Sequence, residues 1–311
     1  MRILITGSSG QIGTNLGLRL LDRGDEVVGI DWRPNTWTDR IPTIQHNLCS
    51  GKPGALPVSG RFDAVVHLAA HAKVFELVQH PERAMENVSS AFSALDYCRQ
   101  QRTPLLFGSS REVYGDIHRH VTDEAQADFV VAESPYSASK IAGEAFIYSY
   151  AECYDLPCLV FRFSNVYGRY DCDLDRLERV IPLFIRRIAD GEPIVVYGPD
   201  KVLDFTWVDD CTEGVIQGID ALVAGRLKRE TINVAYGQGA TLMDLVNLIA
   251  LALRREPNAR YEPSRSGEVT RYVADITKAR QLLGYRPQVP LTAGLPRAIR
   301  WQREVGVLKN V

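Results

Sequence analysis

The chain predicts an α/β protein, a Rossmann-type doubly wound parallel sheet with a smaller mixed α/β substrate domain. Three observations carry this expectation. Short apolar runs alternate with helix-period segments through the first half, a glycine-rich turn joins the first run to the first such segment, and the rhythm changes after about Asn165.

Residues 3–6 form the first apolar run, and residues 11–21 follow the glycine turn with helical periodicity. Further strands are expected at 26–30, 64–68, 105–107 and 158–163, with amphipathic crossover helices at 83–99 and 136–154. Beyond Asn165, residues 176–189 read as a helix and 194–196 and 232–234 as short strands, while Thr241 caps an apolar helix running to about residue 253. Glycine, proline and charged residues intersperse over 256–269, as suits loops over a site. The resulting division assigns residues 1–165, with about 204–224 returning to them, to the sheet domain. About 166–203 and 225–311 form the smaller domain, carried on the sheet's carboxyl edge, where ligands of open α/β sheets bind.

The 311 residues leave ample chain for a core, and 45% hydrophobic with 24% charged residues excludes a disordered or fibrous class. Lys plus Arg number 36 against 38 Asp plus Glu, for a net charge of -2. Neither nucleic acid nor an anionic membrane is then an expected partner; a small molecule is. The six cysteines include no CxxC pair, so Cys153 and Cys158 read as reduced thiols, and His118 and His120 lack a third ligand. No metal is expected. No apolar run approaches the ~20 residues that cross a bilayer, and no leader precedes the first strand, so the expected location is cytoplasmic.

Gly7, Gly10 and Gly13 lie in TGSSGQIG, directly after a strand and at the start of a helix. Glycines there allow a tight turn and a close backbone approach to a pyrophosphate at the helix N-terminus. Asp31 stands 18 residues beyond Gly13 at the end of the second strand, where its carboxylate can accept from both adenosine ribose hydroxyls and repel a 2'-phosphate. NAD is the expected cofactor, with Arg33 as the one nearby feature that favours NADP. Tyr136 and Lys140 are four residues apart, hence on one helix face, where the ammonium favours the phenolate. A tyrosine so placed serves as a base.

With these motifs the chain resembles an extended short-chain dehydrogenase/reductase of the nucleotide-sugar epimerase/dehydratase family. Matching segments run nearly end to end: TGSSGQIG, His67-Leu68-Ala69-Ala70, Asn87, SSREVYG, PYSASK, RFSNVYG, DFTWVDD and ADITKARQLLGYRP. The resemblance implies cofactor contacts from Gly7, Gly10, Gln11, Ile12, Gly13, Asp31, Asn47, Leu48, Leu68, Ala69, Ala70, Asn87, Tyr136, Lys140 and Phe163. It implies catalysis by Ser110, Tyr136 and Lys140, with Glu112 as a further acid/base candidate, and a nucleotide-diphosphate sugar held by Ser110, Arg111, Asn165 and Arg265. Lys73 is an additional candidate for the sugar pocket. It further implies a homodimer through helices 83–99 and 136–154, with Phe92, Leu95, Ala142 and Phe146 as candidate contacts.

The expected reaction is an NAD-dependent 4-epimerisation of a UDP-hexose or UDP-hexuronate through a 4-keto sugar. The alternatives are a dehydratase or uronate decarboxylase using Glu112, and a non-catalytic NAD-binding protein. Two positions depart from the pattern: Leu203 stands where many relatives have an Arg before the Asp of the DF motif, and Asn47 stands where relatives usually have an Asp. Arg111 also replaces the acidic partner of many dehydratases, leaving Glu112 either ionised for chemistry or tied down as a loop salt bridge.

Overall fold

The computed structural model describes residues 1–115, 132–171, 179–265 and 268–308. The first part of the chain runs β1 (Arg2–Thr6), α1 (Gln11–Asp22), β2 (Glu26–Asp31), β3 (Thr43–Gln45), β4 (Ala64–His67), α2 (Val74–Gln79), α3 (Glu82–Gln101) and β5 (Leu105–Ser110). After a 3-10 turn over Arg111–Tyr114 come α4 (Pro135–Tyr154), β6 (Cys158–Phe163), β7 (Asn165–Tyr167), α5 (Val180–Asp190), β8 (Ile194–Tyr197), β9 (Val202–Trp207), α6 (Val208–Val223) and β10 (Arg229–Val234). The chain closes with β11 (Gly239–Thr241), α7 (Leu242–Leu253), β12 (Ala259–Glu262), β13 (Arg271–Tyr272), α8 (Thr277–Leu283) and α9 (Leu291–Glu304).

Seven strands form one parallel sheet in the order β3-β2-β1-β4-β5-β6-β10. Strand order reverses between β1 and β4, which opens a crevice at their carboxyl ends. Alternation along β1 builds both faces: Ile3 and Ile5 pack in one core with Leu16 and Leu20 of α1, whereas Leu4 packs in the other with Leu95 of α3 and Ile147 of α4. β4, β5 and β6 are buried throughout, as strands covered on both sides must be.

A buried ion pair locks the sheet to α4. Arg162 of β6 donates through Nε and Nη2 to Glu144, at 3.1 and 2.7 Å, and Ser109 of β5 donates to Glu144 at 2.5 Å. Removing either charge would leave the other uncompensated, which typically costs about 3–5 kcal/mol. Ser134 opens α4 with a capping box to Ser137, and Pro135 fills the first turn, so the helix begins where its catalytic candidates need it.

Several expectations change. Residues 225–311 were assigned wholly to the smaller domain, but β10 pairs with β6 over six residues and completes the main sheet. Conversely, Val202–Trp207 belongs to a separate small sheet with β7, β11 and β13. The helix expected over 176–189 is described from Val180, residues 172–178 lying outside the described chain. β5 continues to Ser110 because Gly108, Ser109 and Ser110 still pair with β6. Thr241 does cap α7, through a reciprocal pair of bonds with Asp244 at 2.9 Å. Cys153 and Cys158 are free thiols; His118, His120 and Cys172 fall outside the described residues. Among those described, no helix is long and apolar enough to cross a membrane and no cluster could hold a metal ion.

Candidate active site

Register brings the site together before any side chain is considered. Thr6 of β1 lies opposite Ile30 of β2 and His67 of β4, so Gly7, Asp31 and Leu68 emerge side by side at one edge. There a cavity of about 730 Å³ runs from the α1 turn to the start of α4. His67 itself serves the scaffold: its Nδ1 shares a 2.8 Å hydrogen bond with Thr6, and burial lowers its pKa to about 3, keeping it neutral.

The glycine turn is built for close approach. Gly7 has φ +75°, and a Cβ there would sit 2.6 Å from Ala69 N; one on Gly13 would sit 2.2 Å from Gly7 O. Both positions require glycine. Gly10, Gln11 and Ile12 complete the wall at the N-terminus of α1, which has no side-chain cap hydrogen bond, and unpaired N–H groups at such a helix start favour an anion. Asp31, 5% exposed, accepts from Ser9 N at 3.0 Å and Arg33 N at 3.1 Å. Each carboxylate oxygen therefore keeps acceptor capacity for a ribose hydroxyl. Burial raises its pKa against those two hydrogen bonds. Asn47 spends its side-chain oxygen on Cys49 N, leaving the amide nitrogen as its donor toward the cavity it lines with Leu48. Asn87 fixes the loop after β4, accepting from His71 N at 2.7 Å and donating to His71 O and Ser139 Oγ. That loop sets Leu68, Ala69 and Ala70 on the wall, which Phe163 also lines.

At the far end Ser110, Tyr136 and Lys140 share the wall. Lys140 Nζ donates to Gly108 O at 2.8 Å and lies 5.8 Å from the Tyr136 ring. Burial lowers Lys140 to about 8 and pushes Tyr136 up to about 12, a hydrogen bond with Ser110 pulling the phenol the other way. The lowering of the phenol expected from the Tyr136–Lys140 spacing is thus reversed, with burial the largest influence on it. Arg111 Nη2 lies 2.8 Å from Glu112 Oε1 and donates to Asn165 Oδ1 at 3.3 Å, while Glu112 Oε2 and Arg111 Nη1 are buried with no hydrogen-bond partner among the described residues. Burial raises the Glu112 pKa, with Arg111 opposing it. The loop tie exists, yet it leaves one acceptor and one donor unspent beside Ser110.

Two candidates do not reach the wall. Lys73 is the residue preceding α2, and its neighbours Val74 and Glu76 take the lining position instead. The Arg265 guanidinium lies 3.8 Å from the centroid of the Tyr197 ring and 4.8 Å from that of Phe75, a cation–π sandwich, and Arg265 is not among the residues that line the cavity. Leu203, the departure before Asp204, is a core residue; Asp204 accepts from the Tyr236, Gly237 and Ala274 N–H groups and so ties the small sheet together. Sequence reasoning missed Trp37, Tyr170, Asp171 and Arg179, all of which line the cavity. Trp37, Tyr170 and Trp301 form a mutual aromatic cluster with centroids 5.5 to 5.7 Å apart.

Residues 3–235 match the model of the NAD dependent epimerase/dehydratase family. UDP-glucuronate 4-epimerase 1 of Arabidopsis thaliana is 28% identical over 96% of this chain and 76% of its own length. UDP-glucuronic acid decarboxylase 2 of the same plant is 26% identical over 96% of this chain and 68% of its own. Among solved structures, the UDP-glucose 4-epimerase of Thermotoga maritima, with UDP-glucose, superposes with a TM-score of 0.90 at 26% identity, covering 98% of this chain and 99% of that one.

Proposed function

We propose, from the premise that this chain belongs to the NAD dependent epimerase/dehydratase family, that it is a nucleotide-sugar 4-epimerase acting on a UDP-hexose or UDP-hexuronate. NAD is the cofactor, and when bound it supplies a reversible acceptor for the C4 hydride. The glycine turn and Asp31 suit the adenosine and pyrophosphate half. The observation that carries the reading is the convergence of Ser110, Tyr136 and Lys140 on the other half of the same cavity. Tyr136 takes the C4 hydroxyl proton, Ser110 orients that hydroxyl, and Lys140 supplies positive charge beside the phenol. A 4-keto sugar so formed would turn in the cavity to expose its other face to reduction, so that no net oxidation would result.

Glu112 is the ground for a second reading, a lyase in which it acts as the base, because its Oε2 has no hydrogen-bond partner among the described residues. Incubation with NAD and UDP-glucose or UDP-glucuronate, followed by mass spectrometry and proton NMR, separates the two: an unchanged mass with a new stereoisomer supports the epimerase, and loss of water or carbon dioxide the lyase. Glu112→Gln keeps size and removes the carboxylate, so an epimerase is expected to lose about tenfold or less. Collapse of product formation with accumulated NADH would transfer the assignment to a dehydratase.

Cofactor choice follows from Asp31. Calorimetric titration is expected to show NAD binding roughly tenfold or more tighter than NADP, because the extra phosphate would face this carboxylate. Asp31→Ala should shrink the ratio. Equal affinities in the wild type would mean that Arg33, whose Nε is 3.8 Å from Asp31, cancels the repulsion.

The homodimer belongs to the same proposal. α3 and α4 pack side by side, Phe92 meets Phe146 at 5.6 Å, and Met85, Phe146 and Tyr154 remain exposed on that surface. Leu95 is withdrawn from the candidate contacts because it is buried in the chain's own core. Light scattering at micromolar concentration is expected to give twice the chain mass; a monomeric mass would refute it.

A further inference from the structure

We propose that Glu144 is a positioning residue of the reaction, a buried carboxylate that acts through Lys140 by favouring its ammonium beside Tyr136. Tyr136, Lys140, Glu144 and Tyr148 follow one another at intervals of four along α4, so they share one face of the helix, with Glu144 one turn beyond the lysine. Glu144 is 4% exposed. Its Oε1 accepts from Ser109 Oγ at 2.5 Å and Arg162 Nε at 3.1 Å, and its Oε2 from Arg162 Nη2 at 2.7 Å and Tyr148 Oη at 3.2 Å. Ser109 stands between Gly108, whose carbonyl accepts from Lys140 Nζ at 2.8 Å, and Ser110. One short stretch of β5 therefore carries the acceptor of Lys140, a donor to Glu144 and the hydroxyl that faces Tyr136.

Tying α4 to the sheet does not require charge, because a well-packed apolar pair does so about as well as a buried ion pair. The place of this carboxylate supplies another reason for it. Burial lowers Lys140, and Glu144 opposes that. Of the other groups around the ammonium, the Phe107 ring of β5 lies 5.0 Å away, His67 of β4 is kept neutral by burial, and Tyr136 is the phenol that the ammonium serves. Arg162 of β6 balances Glu144. The reactive state needs ammonium and phenolate together, so a charge that keeps Lys140 protonated enlarges the share of protein in that state.

The test has one arm in the protein alone and one in turnover. In the protein without nucleotide or sugar, the Lys140 Cε resonance, assigned by its absence in Lys140→Met, is expected to titrate near pH 8 by carbon NMR. In Glu144→Gln, and in Glu144→Gln with Arg162→Met, which leaves no lone charge in the core, the midpoint should fall by about half to one pH unit. The kcat profile should keep its rising limb at low pH, which Tyr136 sets, then break earlier by the same interval and level off about three- to tenfold lower. Glu144→Asp draws the carboxylate back by one methylene and should give a midpoint and a plateau between the two. A merely structural role would lower the whole profile with the break in place; that result with an unmoved Cε midpoint overturns the inference. Should neither neutral variant fold by thermal melting, a Glu144→Asp midpoint equal to wild type overturns it. Only the kinetic arm rests on the epimerase reading. Wild-type protein that turns over neither UDP-glucose nor UDP-glucuronate would sink that reading and leave the Cε midpoint to decide the role of Glu144.

Discussion

Tyr136→Phe is expected to lower kcat by about 100- to 10,000-fold, the range a positioned acid/base group supplies, while NAD binding persists. The variant removes only the phenolic oxygen. The ring keeps its packing against Leu77 and Ala84, and Pro135 with the Ser134 cap still starts α4, so the fold should survive. NAD titration and far-UV circular dichroism check those two conditions, and proton NMR of the sugar nucleotide reads the turnover. Ser110→Ala should lose less, since Tyr136 remains as proton acceptor. Turnover by Tyr136→Phe at the wild-type rate would show that the proton leaves by another route and would remove the phenol from the mechanism.

What the sequence disclosed of this site is what local chain geometry encodes. The α1 turn, Asp31 and the Tyr136–Lys140 pair each depend on a few consecutive residues or one strand end, and each is found on the cavity wall. Non-local features were opaque. β3 is a three-residue edge strand, too short to show alternation. The strand character of 232–234 was visible, but its pairing partner was not: β10 joins β6 across the whole intervening stretch from Ser164 to Lys228, a choice made by sheet closure rather than by its own composition. Arg265 carries a phosphate-binding residue type in a matching segment, yet two aromatic rings compete for its guanidinium. Arg179 and Asp171 gave no signal because neither belongs to a recurring motif; only the approach of the chain before α5 to α1 makes them neighbours of Gln11. The sign of the Tyr136 pKa was misjudged for a related reason, since helical spacing reports the nearby charge but not the depth at which the pair is buried.

That burial makes Lys140→Met the sharpest test of how the pair works. Loss of the ammonium is expected to cut kcat by about 100-fold or more, and it should also change the shape of the pH profile. The reactive state needs phenolate and ammonium together. Lys140, at about 8, titrates before Tyr136, at about 12, so this doubly ionised state gains population as pH rises to 8 and is level between 8 and 12. Wild-type kcat should therefore climb by about tenfold per pH unit below that break and flatten above it, in the manner of two coupled sites. In Lys140→Met the reactive state is the phenolate alone, so the climb should continue through pH 8. The variant also leaves Gly108 O without its 2.8 Å donor, at a stability cost of about 1–3 kcal/mol, so thermal melting must accompany the kinetics. A Lys140→Met profile that still flattens near pH 8 would assign the break to a different group and leave the lysine only its structural bond to Gly108.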